Sequence, residues 1–387
     1  MPGSDYANGE TLYRPPEDVP EPGAMYPRVE RLEHDDSDGD VLLAAFEHYL
    51  STDADHADQP FYPVYRSTDG GETWSEFSEI HDTQNDWGMR YQPTLFELPE
   101  DTGPWDAGTV LAAGNSIPDD LSESQIEVYA SEDHGETWEY VSTVAEGGEA
   151  RPQVGGTPVW EPEFALDADG NLVIYFADER HQDDGYNQLV GHRVSEDGGQ
   201  TWNEQVFDAA IQNGEDRPGM PVVTQLSDGR YVMVYEIVGP TYEGGVFAMV
   251  SEDGRDWGDP EDLGSPVSTG EYQGCNGPYV TWTPAGGEDG TLIVSAKTVR
   301  DDDRERAPDS GDVLLATRDF ENFEDWTAIE APLQYDDEIQ CGYMMVGWTV
   351  PLLPSPDGEE LIEMTGTYVD EGRLEVRYAV DALDLDF

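Results

Sequence analysis

The strongest constraint on what this 387-residue chain can fold into is an internal repeat. Ser67-Thr-Asp69-Gly-Gly71-Glu-Thr73-Trp74 returns as Ser131-Glu-Asp133-His-Gly135-Glu-Thr137-Trp138 and again as Ser195-Glu-Asp197-Gly-Gly199-Gln-Thr201-Trp202, each copy 64 residues after the last. A shortened copy follows at Ser251-Glu-Asp253-Gly254-Arg-Asp-Trp257, and a degenerate one runs from Thr317-Arg-Asp319 to Trp326. The chemistry of each box is that of a turn. Short Ser, Asp and Thr side chains hydrogen-bond nearby amides, glycine supplies positive φ, and the tryptophan packs back against a sheet. Each box follows a strand-like run, such as Tyr62–Arg66, Ile126–Ala130 or Leu189–Val194. It reads as scaffold and shares with calcium loops only its Asp and Gly.

A second pattern sets the count. A proline-marked start, an apolar strand, an Asp-Gly type of turn and a second apolar strand begin at Tyr26, Tyr91, Val159, Arg217, Asn276 and Trp348, at intervals of 58 to 72 residues. Six such units, each with about four short strands, predict an all-β, six-bladed β-propeller with four antiparallel strands per blade. A pair of β-sandwiches would not explain the regular spacing. Each blade buries its faces only against its neighbours, so residues 1–387 are expected to form a single domain. The N-terminal segment 1–25 is expected to close the last blade, with the region Thr11–Arg14 beside Arg373–Val380.

Charge removes several classes of function. With 85 Asp+Glu against 18 Lys+Arg the formal net charge is −67, which repels polyanions, so no nucleic acid and no anionic membrane is an expected partner. Disorder is excluded because aromatics make up 11% and hydrophobic residues 37% of the chain, enough to bury a core. Lys297 is the sole lysine and the other 17 basic residues are arginines, a pattern that suggests adaptation to molar salt, where the Debye length falls to about 3 Å. The acidity then describes a solvated surface and not a chemistry.

The uncharged run Cys341–Pro356 falls short of the roughly 20 residues of a membrane span and is broken by Pro351 and Pro354. The start MPGSDYANGE has neither a basic nor an apolar leader region, so a cytoplasmic monomer is expected, or a secreted one if a leader has been removed. Cys275 and Cys341 are expected to be a free pair. Histidines 34, 48, 56, 81, 134, 181 and 192 show no metal-binding spacing, and no phosphate-cradling glycine loop is present. No metal and no cofactor is expected.

Blade topology sorts the candidates. The start of a blade's innermost strand and the end of its second emerge on one face, and the boxes on the other. The pocket face then collects Arg28, Gln92, Glu161, Arg217 and Asn276 from strand starts. From strand ends come Glu47, Asp178-Glu179-Arg180, Glu236 and Arg300. Glu161 in VWEPEF and Glu236 at the end of VMVYE follow apolar neighbours on adjacent blades. Partial desolvation there raises a carboxyl pKa, as a general acid requires, and a pair of carboxylates across a sugar-sized funnel is the arrangement of glycosidases. Arg28, Arg180 and Arg217 could orient them or bind substrate oxygens, and Trp87, Trp105 or Trp160 could stack on a sugar or simply pack.

At these residues the chain resembles a known family. The boxes are similar to the Asp boxes of the sialidase superfamily. The stretches YPR (Tyr26–Arg28), VWEPEF (Val159–Phe164), YFADER (Tyr175–Arg180) and RPGMPVVTQLSDGRYVMVYE (Arg217–Glu236) resemble glycoside hydrolase family 93, the exo-α-1,5-L-arabinanases. The resemblance implies a retaining mechanism acting on an oligo- or polysaccharide, with Glu161 as acid/base and Glu236 as nucleophile. The expected substrate-binding residues are Arg28, Trp160, Asp178, Arg180, Arg217, Asn276 and Tyr343. Two other readings stay open: an exo-sialidase using Tyr343 with Glu236 and the arginines Arg28, Arg217 and Arg300, and a non-catalytic carbohydrate-binding propeller.

Overall fold

The computed structural model describes residues 7–35, 39–50, 59–151, 155–335, 346–370 and 372–387. Tyr343 and Cys341 lie outside them. Six antiparallel sheets follow one another in chain order, a six-bladed β-propeller: blade 1 over 24–81, blade 2 over 89–147, blade 3 over 159–210, blade 4 over 217–266, blade 5 over 279–330 and blade 6 over 352–382. Blade 6 takes its outermost strand, Glu10–Tyr13, from the other end of the chain, with Glu10 opposite Tyr378 and Thr11 opposite Arg377. Among the described residues the only named helix is the single 3-10 turn Gln182–Asp184.

The continuously apolar strands are explained by what lies on either side of them. In Thr291–Ser295 of blade 5, Leu292 and Val294 enter a wedge shared with Val232, Val234 and Val246 of blade 4, while Ile293 faces Leu352 and Leu361 of blade 6. Blade 4 does the same: Val232 and Val234 point toward blade 5, and Tyr231, Met233 and Tyr235 toward Val173, Tyr175 and Val190 of blade 3. Successive side chains point to opposite faces of a strand, so a strand buried on both faces carries no polar alternation. The core is a ring of wedges, each owned by two blades.

The boxes tie the wedges together. In the second, the Asp133 carboxylate accepts hydrogen bonds from Ser131 Oγ at 2.7 Å, from Thr137 N–H at 2.8 Å and from Thr137 Oγ1 at 2.6 Å. The same set recurs around Asp69 and Asp197. The box tryptophans also reach the preceding blade, which the repeat alone does not reveal. Trp138 Nε1 donates to Ser78 Oγ at 3.1 Å and Trp202 Nε1 to Ser142 Oγ at 2.9 Å. Trp74 closes the ring edge-on to Tyr378 of blade 6, whose hydroxyl donates to the Glu72 carbonyl.

Blade 5 departs from the expected layout. Its second strand ends at Ser295, and Thr298–Arg300 crosses to pair with Gln273–Cys275 in the sheet of blade 4. Arg300, expected at a strand end on the pocket face, is instead drawn into a ladder opposite Gln273.

Replacing Asp133 by Ala removes three acceptor contacts from one turn. It is expected to cost about 1–3 kcal/mol of stability, seen as a lowered thermal midpoint in molar KCl with the chemistry of the opposite face unchanged.

Candidate active site

The proline-marked starts acquire a physical meaning at the innermost strands. In blades 1 to 4 the ladder register shifts where two residues oppose one: Tyr26-Pro27, Gln92-Pro93, Glu161-Pro162 and Met220-Pro221. Proline, with no N–H to give to a ladder, is tolerated at such bulges. The residue before each proline is left-handed, with φ of 52° at Tyr26, 60° at Gln92, 60° at Glu161 and 53° at Met220, and Asn276 of blade 5 joins them at 59°. A non-glycine residue pays of order 1–3 kcal/mol for that conformation. The distortion frees its backbone N–H from the ladder.

Those N–H groups are passed from blade to blade. Gln92 N–H donates to Glu47 Oε1 at 2.7 Å, Glu161 N–H to Gln92 Oε1 at 3.0 Å, and Met220 N–H to Glu161 Oε2 at 2.6 Å. Gln92 Nε2 returns a bond to Glu161 Oε1 at 3.3 Å. Glu236, on the second strand of blade 4, accepts from Gly277 N–H at 2.8 Å and Asn276 Nδ2 at 3.1 Å, both from the segment leading into blade 5. Both glutamates converge on Gly219: it pairs with Glu236 across the sheet, and a Cβ there would lie 3.2 Å from Glu161 Oε2 and 2.3 Å from Gln188 Nε2. A side chain at this position would have to push Gln188 aside and crowd Glu161.

The two carboxyls have different surroundings. Burial, then the nearby Glu236 charge, pushes Glu161 up to about 8 despite the Met220 N–H and the Arg217 charge. Burial also raises Glu236, opposed by the Gly277 N–H, the Asn276 amide and the charges of Lys297 and Arg217. Burial raises both carboxyls; at Glu236 two hydrogen-bond donors and two cations oppose the rise, at Glu161 one donor and one cation.

Arg217 is held by Glu179 Oε1 at 2.7 Å and by Gln188, and Glu179 also takes Trp160 Nε1 at 2.9 Å and Gln182 Nε2 at 3.2 Å. Glu161, Glu236, Arg217 and Asn276 are therefore brought together. Trp160 is buried against Ile117, Ala150 and Ala177 and acts by fixing Glu179. Asp178 and Arg180 are not brought to the pair. Arg180 forks onto Asp178 at 2.9 and 2.7 Å and reaches outward to Gln205 and the Glu146 carbonyl. Arg28 lies deeper, near the rings of Tyr26 and Tyr279 and 3.7 Å from Glu163. Trp105 serves the opposite face, donating to Gly198 of the third box.

One resident was not anticipated. Lys297 is 3% exposed, with Nζ 3.4 Å from the centroid of the Trp348 ring and its charge acting on Glu236. Its being the sole lysine was the available signal, but it was absorbed into the account of net charge.

Residues 39–278 match the family model described as a BNR repeat-like domain. The family 93 α-L-arabinofuranosidase of Fusarium graminearum, solved with arabinobiose, superposes with a TM-score of 0.81 at 31% identity, over 97% of this chain and 98% of that one. The Penicillium chrysogenum α-L-arabinanase complexed with arabinobiose gives 0.78 at 36% identity, over 97% and 98%. A Hadza microbial sialidase, at 15% identity and a TM-score of 0.59 over 97% of this chain and 68% of that one, shares the fold alone. No curated protein matches the chain.

The Glu161 carboxyl is expected to keep its proton through neutral pH and to ionise around pH 8. The readout is the protonated-carboxyl band in the infrared difference between wild type and Glu161→Gln. A band already gone by about pH 5, where ordinary glutamates are ionised, would contradict this electrostatic picture.

Proposed function

The chain belongs to glycoside hydrolase family 93, among the BNR-repeat propellers, and from that premise and its paired glutamates we propose that it cleaves α-1,5-linked arabinan from a chain end with retention. The observation that carries the mechanism is the opposed environment of the pair. Glu161, protonated below about pH 8, gives its proton to the glycosidic oxygen as that bond to the anomeric carbon breaks. Glu236 attacks the same carbon from the other side and forms a glycosyl ester. Glu161, now a carboxylate, takes a proton from water as the water oxygen displaces Glu236, which leaves as a carboxylate. The arabinan reading is supported by two relatives bound to arabinobiose, each over 30% identical across nearly the whole chain.

The sialidase reading asks for three convergent arginines. Arg28 sits beside Glu163 and Arg217 on Glu179, so these two are committed to different buried carboxylates, and Arg300 stands opposite Gln273 in a ladder. A binding propeller would have no use for two glutamates held by successive blades in different electrostatic surroundings.

The test is hydrolysis of debranched arabinan, an aryl-arabinofuranoside and an aryl-sialoside in molar KCl, by wild type and by Glu161→Gln and Glu236→Gln at equal folded concentration. Each variant is expected to lose on the order of 10³-fold in kcat/KM, and proton NMR should show the α-anomer formed first. Turnover of the sialoside alone would overturn the proposal, and a β-anomer would overturn retention. Gly219→Ala, which crowds Glu161 and displaces Gln188, is expected to lose about tenfold or more in kcat while remaining folded.

Activity should also follow the pair in pH. Glu161 must be protonated, so kcat/KM falls as pH rises through about 8. Glu236 must be ionised, so kcat/KM falls again as the medium becomes acid enough to protonate it.

A further inference from the structure

Among the described residues, Lys297 is placed by two contacts and lies within electrostatic reach of Glu236. Its backbone N–H donates to the Asn276 carbonyl at 2.8 Å, and the side chain of that same Asn276 holds Glu236 at 3.1 Å. Its Nζ stands 3.4 Å from the Trp348 ring centroid, a cation on an aromatic face with almost no water access. Its charge acts on Glu236 across the interval between blades 4 and 5. A desolvated cation is costly to keep, and an aromatic face with a nearby anion is what offsets that cost.

The choice of residue carries information. Every other basic side chain in the protein is an arginine. A guanidinium is a broad planar fork that does not lose its proton, whereas an ammonium is a compact point charge that fits end-on to an indole and titrates when buried. At this one position the chain uses the cation it avoids elsewhere.

We propose that Lys297 is a positioning residue of the hydrolytic site, an ammonium clamped on Trp348 that keeps Glu236 anionic and aligned for attack. The inference rests on the reading of Glu236 as the nucleophile. Among the described residues, the groups that bear on Lys297 are Glu236 from blade 4, Asn276 from the connecting segment, and Trp348 from the approach to blade 6; Cys275, next to Asn276, is a neutral thiol. Tyr335 lies beside them, close to Gly347. Arg217 enters through its own action on Glu236. Burial lowers Lys297 to about 7, with Glu236 pulling the other way, so its charge is present on the acid side of neutrality and is lost as the medium turns alkaline.

Two experiments separate this inference from the functional one. In the first, Lys297→Met and Lys297→Arg are compared with wild type on the aryl-arabinofuranoside across pH. Lys297→Met is expected to lose about 10²-fold in kcat with KM little changed, and its acid limb should move up by about one pH unit, because Glu236 without its cation keeps its proton longer. Lys297→Arg should keep the wild-type acid limb. Wild-type kcat and an unshifted acid limb in Lys297→Met would overturn the proposal while leaving the arabinanase reading standing.

The second experiment needs no substrate. Competitive labelling with acetic anhydride, read by peptide mass, follows a single lysine side chain in this protein. Lys297 is expected to titrate near 7 in wild type and lower in Glu236→Gln, where its anionic partner is gone. An unchanged titration in Glu236→Gln would overturn the coupling whatever the substrate proves to be, and it decides the matter if Lys297→Met fails to fold.

Discussion

The site depends on one backbone device, the left-handed residue before proline at the start of an innermost strand. A regular strand spends each N–H on its own ladder. In blades 2, 3 and 4 the bulge releases one N–H and turns it sideways, and a carboxylate or carboxamide on the preceding blade accepts it: Glu47 from Gln92, Gln92 from Glu161, Glu161 from Met220. The functional side chains are thus aligned by the joints between blades. Each joint is an oriented dipole placed before any substrate arrives, which is the preorganisation that electrostatic catalysis needs.

A formal charge of −67 suggests a protein whose carboxylates are interchangeable, and the fold makes a few of them distinct. Most stand in water or cap turns, as Asp69, Asp133 and Asp197 do with depressed pKa values from their Thr and Ser partners. The inward-facing set behaves oppositely. Burial raises Glu30, Glu47, Glu161 and Glu363 to about 8 and Glu163 to about 7. Burial raises Glu236 as well, but there N–H groups and cations oppose the rise.

The propeller was legible because its information is local and repeated. Boxes hydrogen-bonded within eight residues, turns between apolar runs and a steady interval specify blades before any long-range contact is considered. Glu161 and Glu236 were legible because blade topology ties position along the strand to a face. Asp178 and Arg180 satisfied the same rule and yet pair with each other, since topology gives the face but not the rotamer, and a neighbouring arginine is the cheapest partner for a buried aspartate. Lys297 was missed for a related reason, and Glu179, though placed on the pocket face, was not given its partner. Their roles depend on contacts between blades, with Trp348 for one and Arg217 for the other, and no local pattern encodes them.

The last blade is assembled from both ends of the chain, Glu10–Tyr13 lying against Arg373–Ala382. During synthesis the first strand stays without this partner until Arg373–Ala382 has left the ribosome. The wedge between blades 6 and 1 cannot form earlier, and neither can a complete ring around the axis. The paired glutamates, made midway along the chain, are thus present long before the closed frame that holds them. The arrival of Arg373–Ala382 is the step that lets the ring close, and a chain cut before it carries the residues of the site without that frame.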